Sequence, residues 1–245
     1  MKSFKNNEER AKWAKIGLTL IIIITVILTV SNAFQLELLL GWNNGAEVDM
    51  NEAEINDTRQ EIVVMAYYIF RCLGAVAFLL WFRRAYFNLH QKSKALNYDE
   101  GWAVGAWFVP ILNLFRPYKI MKELYAESSF WLKTNGIKVN GEAGQYVLPW
   151  WLLWVLTTFL GRIVNKLPEE TVSELVELTQ VAIAAGIIEV IAALIALKVV
   201  HNYSNREKLM MDLEKQLELR NDRSTAPLDS AEGQDADQLI SPLSP

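Results

Sequence analysis

The stretch at residues 101–117, GWAVGAWFVPILNLFRP, decides how this chain is threaded. It is apolar and aromatic enough for a lipid bilayer. Only about fifteen residues precede Arg116, ~22 Å of helix against a hydrocarbon core of about 30 Å. Pro110 interrupts the stretch, Asn113 follows, and Pro117 ends it. A proline inside a helix removes a backbone donor and bends the chain. The segment crosses the bilayer, dips into it or lies on it, and each option sets a different topology for everything around it.

Around this stretch, the 245 residues are 52% hydrophobic with nine tryptophans, and the apolar residues come in blocks with the charge confined between them. That is the pattern of a helical membrane protein. A polar N-terminus, residues 1–15, carries Lys2, Lys5, Arg10, Lys12 and Lys15. Residues 16–40 read as a first transmembrane helix. Ser31-Asn32-Ala33 could end a signal peptide, but the apolar run continues to Leu40 and suits an uncleaved span. Residues 41–61 read as an acidic outer loop with six carboxylates and Arg59. Its Asp49-x-Asn51 start resembles a calcium loop, but Glu54 and Gln60 occupy the positions that need glycine and glutamate.

Residues 62–82 form a second span, and residues 83–100 a basic cytoplasmic loop. After the short segment 101–116, residues 117–146 read as an amphipathic cytoplasmic helix and a turn. Ile120, Met121, Leu124, Tyr125 and Trp131 make its apolar face, suited to a membrane interface. Residues 147–164 are a span that opens with Trp150, Trp151 and Trp154, which fit an interfacial belt. Residues 165–177 are an acidic outer loop, 178–200 the last span, 201–223 a cytoplasmic helix, and 224–245 an acidic tail expected to be disordered. One cysteine, Cys72, and two distant histidines give no disulfide framework and no metal site. No cofactor motif and no nucleic-acid partner is indicated.

Charge settles the short segment. Four intervals (1–15, 83–100, 116–145 and 198–223) hold every Lys and Arg except Arg59, Arg71, Arg162 and Lys166. By the positive-inside rule all four belong in the cytoplasm. A full crossing by residues 101–115 would put two of them, 116–145 and 198–223, outside and would turn the acidic segment 165–177 inward. The expected fold is therefore all-α: four transmembrane helices plus one short re-entrant or interfacial helix, with both termini cytoplasmic. Five spans are the competing arrangement. In the re-entrant case Pro110 marks the bend and Asn113 the polar tip, between Trp102 and Pro117.

Arg71 and Glu189 lie near the centres of their spans, at matching depth and with opposite sign. An ionised side chain there costs about 2.5–3.5 kcal/mol unless it finds a partner. The two are expected to pair, either to hold helix register or to mark a path for a solute, ion or proton. Ala182, Gly186, Ala193 and Ala196 share the face of Glu189, and Gly74 and Ala75 lie near Arg71, so close packing of these two helices is expected. Asn113 is a candidate for the same polar core. Glu37 and Arg162, near outer ends of their spans, could form an outer pair or reach to water separately.

Over residues 84–127 the motifs become specific. Arg84-Ala85-Tyr86-x-Asn88-Leu89 is followed by Gly101-Trp102-Ala103-Val104-Gly105, Trp107-Phe108-Val109-Pro110, Asn113-Leu114, Arg116-Pro117 and Met121-x-Glu123-Leu124. This ordered set resembles the bacterial membrane family called domain of unknown function 4328. The resemblance implies a multi-pass protein of the bacterial cytoplasmic membrane, and no particular chemistry or substrate. Tyr125 stands where a tryptophan is expected.

No catalytic constellation is visible, so an enzyme is not expected. The favoured expectation is an interaction protein of the bilayer: a scaffold, sensor or accessory subunit with a protein partner or a second copy. The alternative is a small transporter or channel component with a midplane polar site around Arg71 and Glu189. A water-accessible polar cavity reaching Arg71 favours the transporter. A dry, fully paired interior with exposed patches on 83–100 or 117–132 favours the scaffold.

Overall fold

In the computed structural model, residues 4–139 and 141–225 are described. All of their regular structure is helical: α1 (Glu8–Asn43), α2 (Met50–His90), α3 (Trp102–Gly105), α4 (Arg116–Thr134), α5 (Val147–Val164) and α6 (Val172–Thr225), with short 3₁₀ turns at Leu112–Leu114 and Gly141–Tyr146. Four of these, α1, α2, α5 and α6, contain a stretch long and apolar enough to cross a membrane. The expected acidic tail falls on residues 226–245, outside the described chain, apart from Ser224 and Thr225 at the end of α6. The chain divides into a unit ending at Lys208 and a second starting at Leu209. The described part of the second is the polar last stretch of α6, residues 209–225.

Large apolar side chains cover the outside. Ile23, Val26, Val30 and Phe34 are exposed along α1, Ile69, Leu73, Val76 and Leu80 along α2, and Leu152, Leu156, Phe159 and Ile163 along α5. The spacing of three and four residues makes a continuous stripe on each helix. Stripes of this size facing outward are a surface for lipid.

The helices extend beyond their apolar blocks, which corrects the loop limits read for 41–61 and 165–177. Only residues 44–49 separate α1 from α2. Asp49 caps α2 by accepting from the Asn51 N–H at 2.9 Å. Arg59 then ties the polar start of α2 to α1, donating to Ser31 Oγ at 3.1 Å and to the Asn56 amide oxygen at 2.6 Å. At α6 the start is a capping box: the Glu174 N–H donates to Thr171 Oγ1, and the Glu174 carboxylate accepts the Thr171 N–H at 3.0 Å. The T-x-x-E spacing was available in the sequence.

α1 and α2 form the tightest contact, and glycine is the reason. A Cβ on Gly17 would lie 2.8 Å from Gly74 Cα, so the two backbones touch. Gly74 therefore serves the contact with α1 and not the expected one with α6. Gly17→Ala is expected to destabilise the protein by about 1–3 kcal/mol, because backbone must move to admit the methyl group. Unfolding in detergent measures this. The reverse change at Gly74 first meets the flexible end of Ile21, at 2.6 Å, and should be milder.

Residues 101–116 do not form one helix. α3 lasts a single turn, a bend follows at Val109, and the chain returns through the 3₁₀ turn. The tip is apolar, with Phe108 72% and Ile111 73% exposed around exposed Pro110. This corrects the expected polar tip at Asn113. That residue sits on the returning arm, where its N–H donates to the Val109 carbonyl at 2.9 Å. Behind the tip, Trp107 packs edge-on against Phe78, Phe82, Trp151 and Trp154. Trp150 and Trp151 are buried here, so they build core where a belt was expected. A short segment brings little apolar surface of its own, and these rings supply it.

α4 also departs from expectation. Its apolar face, with Ile120, Met121, Leu124 and Tyr125, is buried in protein and not laid on an interface. Tyr125 donates to the Val199 carbonyl of α6 at 2.8 Å. Pro117 is buried at the second helical position, and Arg116 beside it lies 4.1 Å from the Trp102 ring centre. α4 ends where Gly136, at φ 81°, lets the Ile137 N–H reach the Leu132 carbonyl.

Candidate functional site

Among the described residues of the first unit, two polar clusters bear on function, one midway along the spans and one at the end near the N-terminus. The midway cluster brings together Arg71 of α2 and Glu189 of α6. Arg71 Nη1 donates to Glu189 Oε1, closing an ion pair. It also donates to the hydroxyl of Tyr67, one turn earlier on α2. Tyr67 in turn donates to Glu189 Oε2 at 2.8 Å. The three form a closed ring in which Tyr67 accepts from the cation and donates to the anion. Pairing and hydrogen bonding together offset the desolvation of two charges. Sequence reasoning missed Tyr67, although its i, i+4 spacing from Arg71 was a signal.

The ring is not sealed. The Arg71 side chain is 39% exposed and Glu189 17%. A cavity of about 700 Å³ leads to it from the end that carries the acidic segments. Its walls mix hydroxyls and amides (Thr29, Asn32 and Gln35 from α1, Gln60 from α2, Thr157 from α5, and Asn165 at the rim) with apolar side chains such as Leu28, Val64, Val164 and Leu178. A second cavity of about 390 Å³ lies on the opposite side, lined by apolar groups including Ala75, Phe78, Trp107, Trp150 and Ala192. Arg71, Thr157 and Glu189 contribute to both walls. The charge ring is thus a partition between a polar and an apolar space.

The small residues of α6 explain the spaces. Gly186 faces Thr29 of α1, where a Cβ would collide. Ala193 and Ala196 of α6 and Gly74 and Ala75 of α2 all border the second cavity. The expected close packing of α2 and α6 is replaced there by open volume.

Asn113 does not join the ring. Its Oδ1 is buried without a hydrogen-bond partner. Glu37 and Arg162 do not pair either. The first cavity separates α1 from α5, and the Arg162 guanidinium folds back over Phe159 on its own helix, 5.7 Å from the ring centre. Among the described residues no group of His, Cys, Asp and Glu could hold a metal.

The second cluster holds the N-terminal segment. Asn88 is fully buried at the end of α2. It accepts from the Lys5 N–H at 3.0 Å, and donates to the Lys5 carbonyl at 2.8 Å and to Glu207 Oε1 at 2.6 Å. Asn7 donates to Glu207 Oε2 at 2.9 Å. Burial pushes the Glu207 carboxyl above its ordinary value, and the two amides pull it back. Nearby, Tyr86 and Asn97 both donate to Glu123 of α4, at 2.7 and 2.6 Å, and Ser93 donates to Glu127 at 2.7 Å. The motif residues Tyr86, Asn88 and Glu123 therefore tie loop 91–101, α4 and the N-terminus together.

The family described as domain of unknown function (DUF4328) matches residues 44–205. No curated protein and no solved structure matches the chain. The match covers most of the chain, including Tyr67, Arg71 and Glu189 of the first cluster and Asn88 of the second, while Lys5, Asn7 and Glu207 lie outside it: the protein belongs to this family.

Proposed function

We propose that this DUF4328 protein is a non-enzymatic membrane component that admits a small polar solute to a midplane site, the ring of Tyr67, Arg71 and Glu189. One observation carries this: a polar cavity of about 700 Å³ ends on that ring. Its size is in the range of small-molecule sites, and intramembrane charges at the bottom of a polar cavity are a common mark of a solute path. A scaffold with a dry interior has no use for such a space. The segments a scaffold would offer for docking are also engaged, since Ser93 and Asn97 are bonded to α4.

By the positive-inside rule, the four basic intervals and both termini lie in the cytoplasm of a bacterial cell, and the polar cavity opens outward. The tip around Phe108 and Ile111 then enters the hydrocarbon from the cytoplasmic side as a re-entrant element. The ring cluster of Trp107 backs this non-helical stretch, and the Phe108 N–H to Gly105 and Asn113 N–H to Val109 bonds satisfy part of its backbone. Partition by a single charge ring suits a transporter component, with movement of α6 against α2 opening the second cavity.

Cysteine labelling tests the cavity. In a Cys72→Ser background, which removes the exposed native thiol, Asn32→Cys and Thr157→Cys should react with a membrane-impermeant thiol reagent added from outside the cell. Leu73→Cys, on the lipid-facing stripe, should not. Equal inertness at all three positions would reject a water-filled path.

A further inference from the structure

Resting on that solute-binding role, we infer that the solute is a small zwitterion carrying one carboxylate and one ammonium group. The end at which the cavity opens is acidic, and of its carboxylates Glu169 lines the cavity itself. Residues 41–61 and 165–177 hold ten carboxylates, against Arg59, Arg162 and Lys166 in or beside them. A field of that sign repels net anions before they enter.

The floor makes the opposite demand. Among the described residues Arg71 uses Nη1 for Tyr67 and Glu189, while its Nε and Nη2 have no protein acceptor. A guanidinium edge with two free N–H groups matches a carboxylate through two parallel bonds. The site therefore asks for a carboxylate that the rim denies to a bare anion, and a zwitterion meets both conditions.

Glu189 receives the other end. Each of its oxygens takes one bond, from Arg71 and from Tyr67. A carboxylate has room for about four donors, so an ammonium group can be added without breaking the ring. Between rim and floor the walls at Thr29, Asn32, Gln35 and Gln60 are uncharged. Arg71 and Glu189 cancel, so a ligand of zero net charge adds no uncompensated charge at this depth. A simple amine leaves the free edge of Arg71 unanswered, and a polyol offers it only neutral hydroxyls, which bond more weakly than a carboxylate.

The test uses the full-length protein in detergent and its thermal unfolding against each standard amino acid. The most effective one is then compared with its amide, which is a cation, its N-acetyl derivative, which is an anion, and glycerol. At least one free amino acid should raise the unfolding temperature saturably, with the amide and the N-acetyl derivative at least about tenfold weaker. Tyr67→Phe, which loosens the ring while keeping both charges, should raise the half-saturating concentration about tenfold, the value of one hydrogen bond to a charged group. Equal response to the amide, the N-acetyl derivative or glycerol overturns the zwitterion, as does no response to any amino acid. Either result leaves the cavity itself to be judged by the labelling of Asn32→Cys and Thr157→Cys.

Discussion

Glu189→Gln is expected to reduce the folded protein recovered from membranes sharply, and adding Arg71→Gln is expected to restore most of it. The single change leaves the Arg71 cation midway along a span with only Tyr67 beside it. An uncompensated charge at that depth costs about 2.5–3.5 kcal/mol, which is a large part of the stability of an ordinary domain. The double change removes both charges and leaves two amides that can bond to each other and to Tyr67. Because the pair borders a cavity, water relieves part of the penalty, so the lower end of the range applies. Abundance in the membrane and the unfolding temperature in detergent measure the two effects. A double variant no better than Glu189→Gln alone would mean that the two charges act independently. Recovery of abundance without recovery of solute binding would separate the structural role of the pair from its role at the site.

The Arg71–Glu189 contact is present and the contacts read for the small residues around it are not, and both facts have a common physical basis. Charge inside an apolar block is rare and expensive, so two opposite charges at one depth have few other solutions. Small residues carry no such constraint. Gly74 was read toward α6 from its spacing, yet it touches Gly17 of α1, because a glycine permits close approach from any side. Ala193 and Ala196 promised a contact for the same reason and border a cavity. Tryptophans are equally ambiguous: Trp150 and Trp151 suit an interface by composition, and only the return of residues 101–116 beside them makes them core. The four apolar blocks were legible because block length is a one-dimensional quantity. The cavity was not, since it depends on side chains from α1, α2, α5 and α6 that fail to meet.

The cluster at the N-terminal end was the least legible. Asn7, Asn88 and Glu207 are ordinary polar residues far apart in sequence, and nothing in their local pattern joins them. Yet the strongest motif residues converge there, while Tyr67, Arg71 and Glu189 lie outside the run that carried the resemblance. Residues 84–127 thus build a platform for the spans, and the candidate solute site is set between the spans. A recognisable motif and a functional site need not coincide, because a short segment threaded through several elements constrains more residues than a cavity wall does.

Asn88→Leu is expected to be the most damaging change on that platform, at about 3–5 kcal/mol. Leucine keeps the number and branching of the heavy atoms but ends in bulkier methyl groups, so overpacking adds to the polar loss. Three bonds vanish: two with the Lys5 backbone, at 3.0 and 2.8 Å, and one with Glu207, at 2.6 Å. The N-terminal segment should be released and become sensitive to protease. Glu207, only 3% exposed, keeps Asn7 as its remaining hydrogen-bond donor. Its carboxyl is already pushed up by burial against the pull of these amides, so losing Asn88 pushes it further. A carboxyl whose folded value exceeds its unfolded one binds its proton more tightly when folded, so its stabilising contribution is present at low pH and is lost as pH rises through the folded value. The deficit of Asn88→Leu should therefore be larger at pH 8 than at pH 5. Asn88→Leu combined with Glu207→Leu should lose that pH dependence and regain part of the stability. Unfolding temperatures at the two pH values, with limited proteolysis of the N-terminus, read out both effects. An Asn88→Leu protein within about 0.5 kcal/mol of the parent, the range of a neutral surface change, would remove Asn88 from its place as the latch of the N-terminal segment.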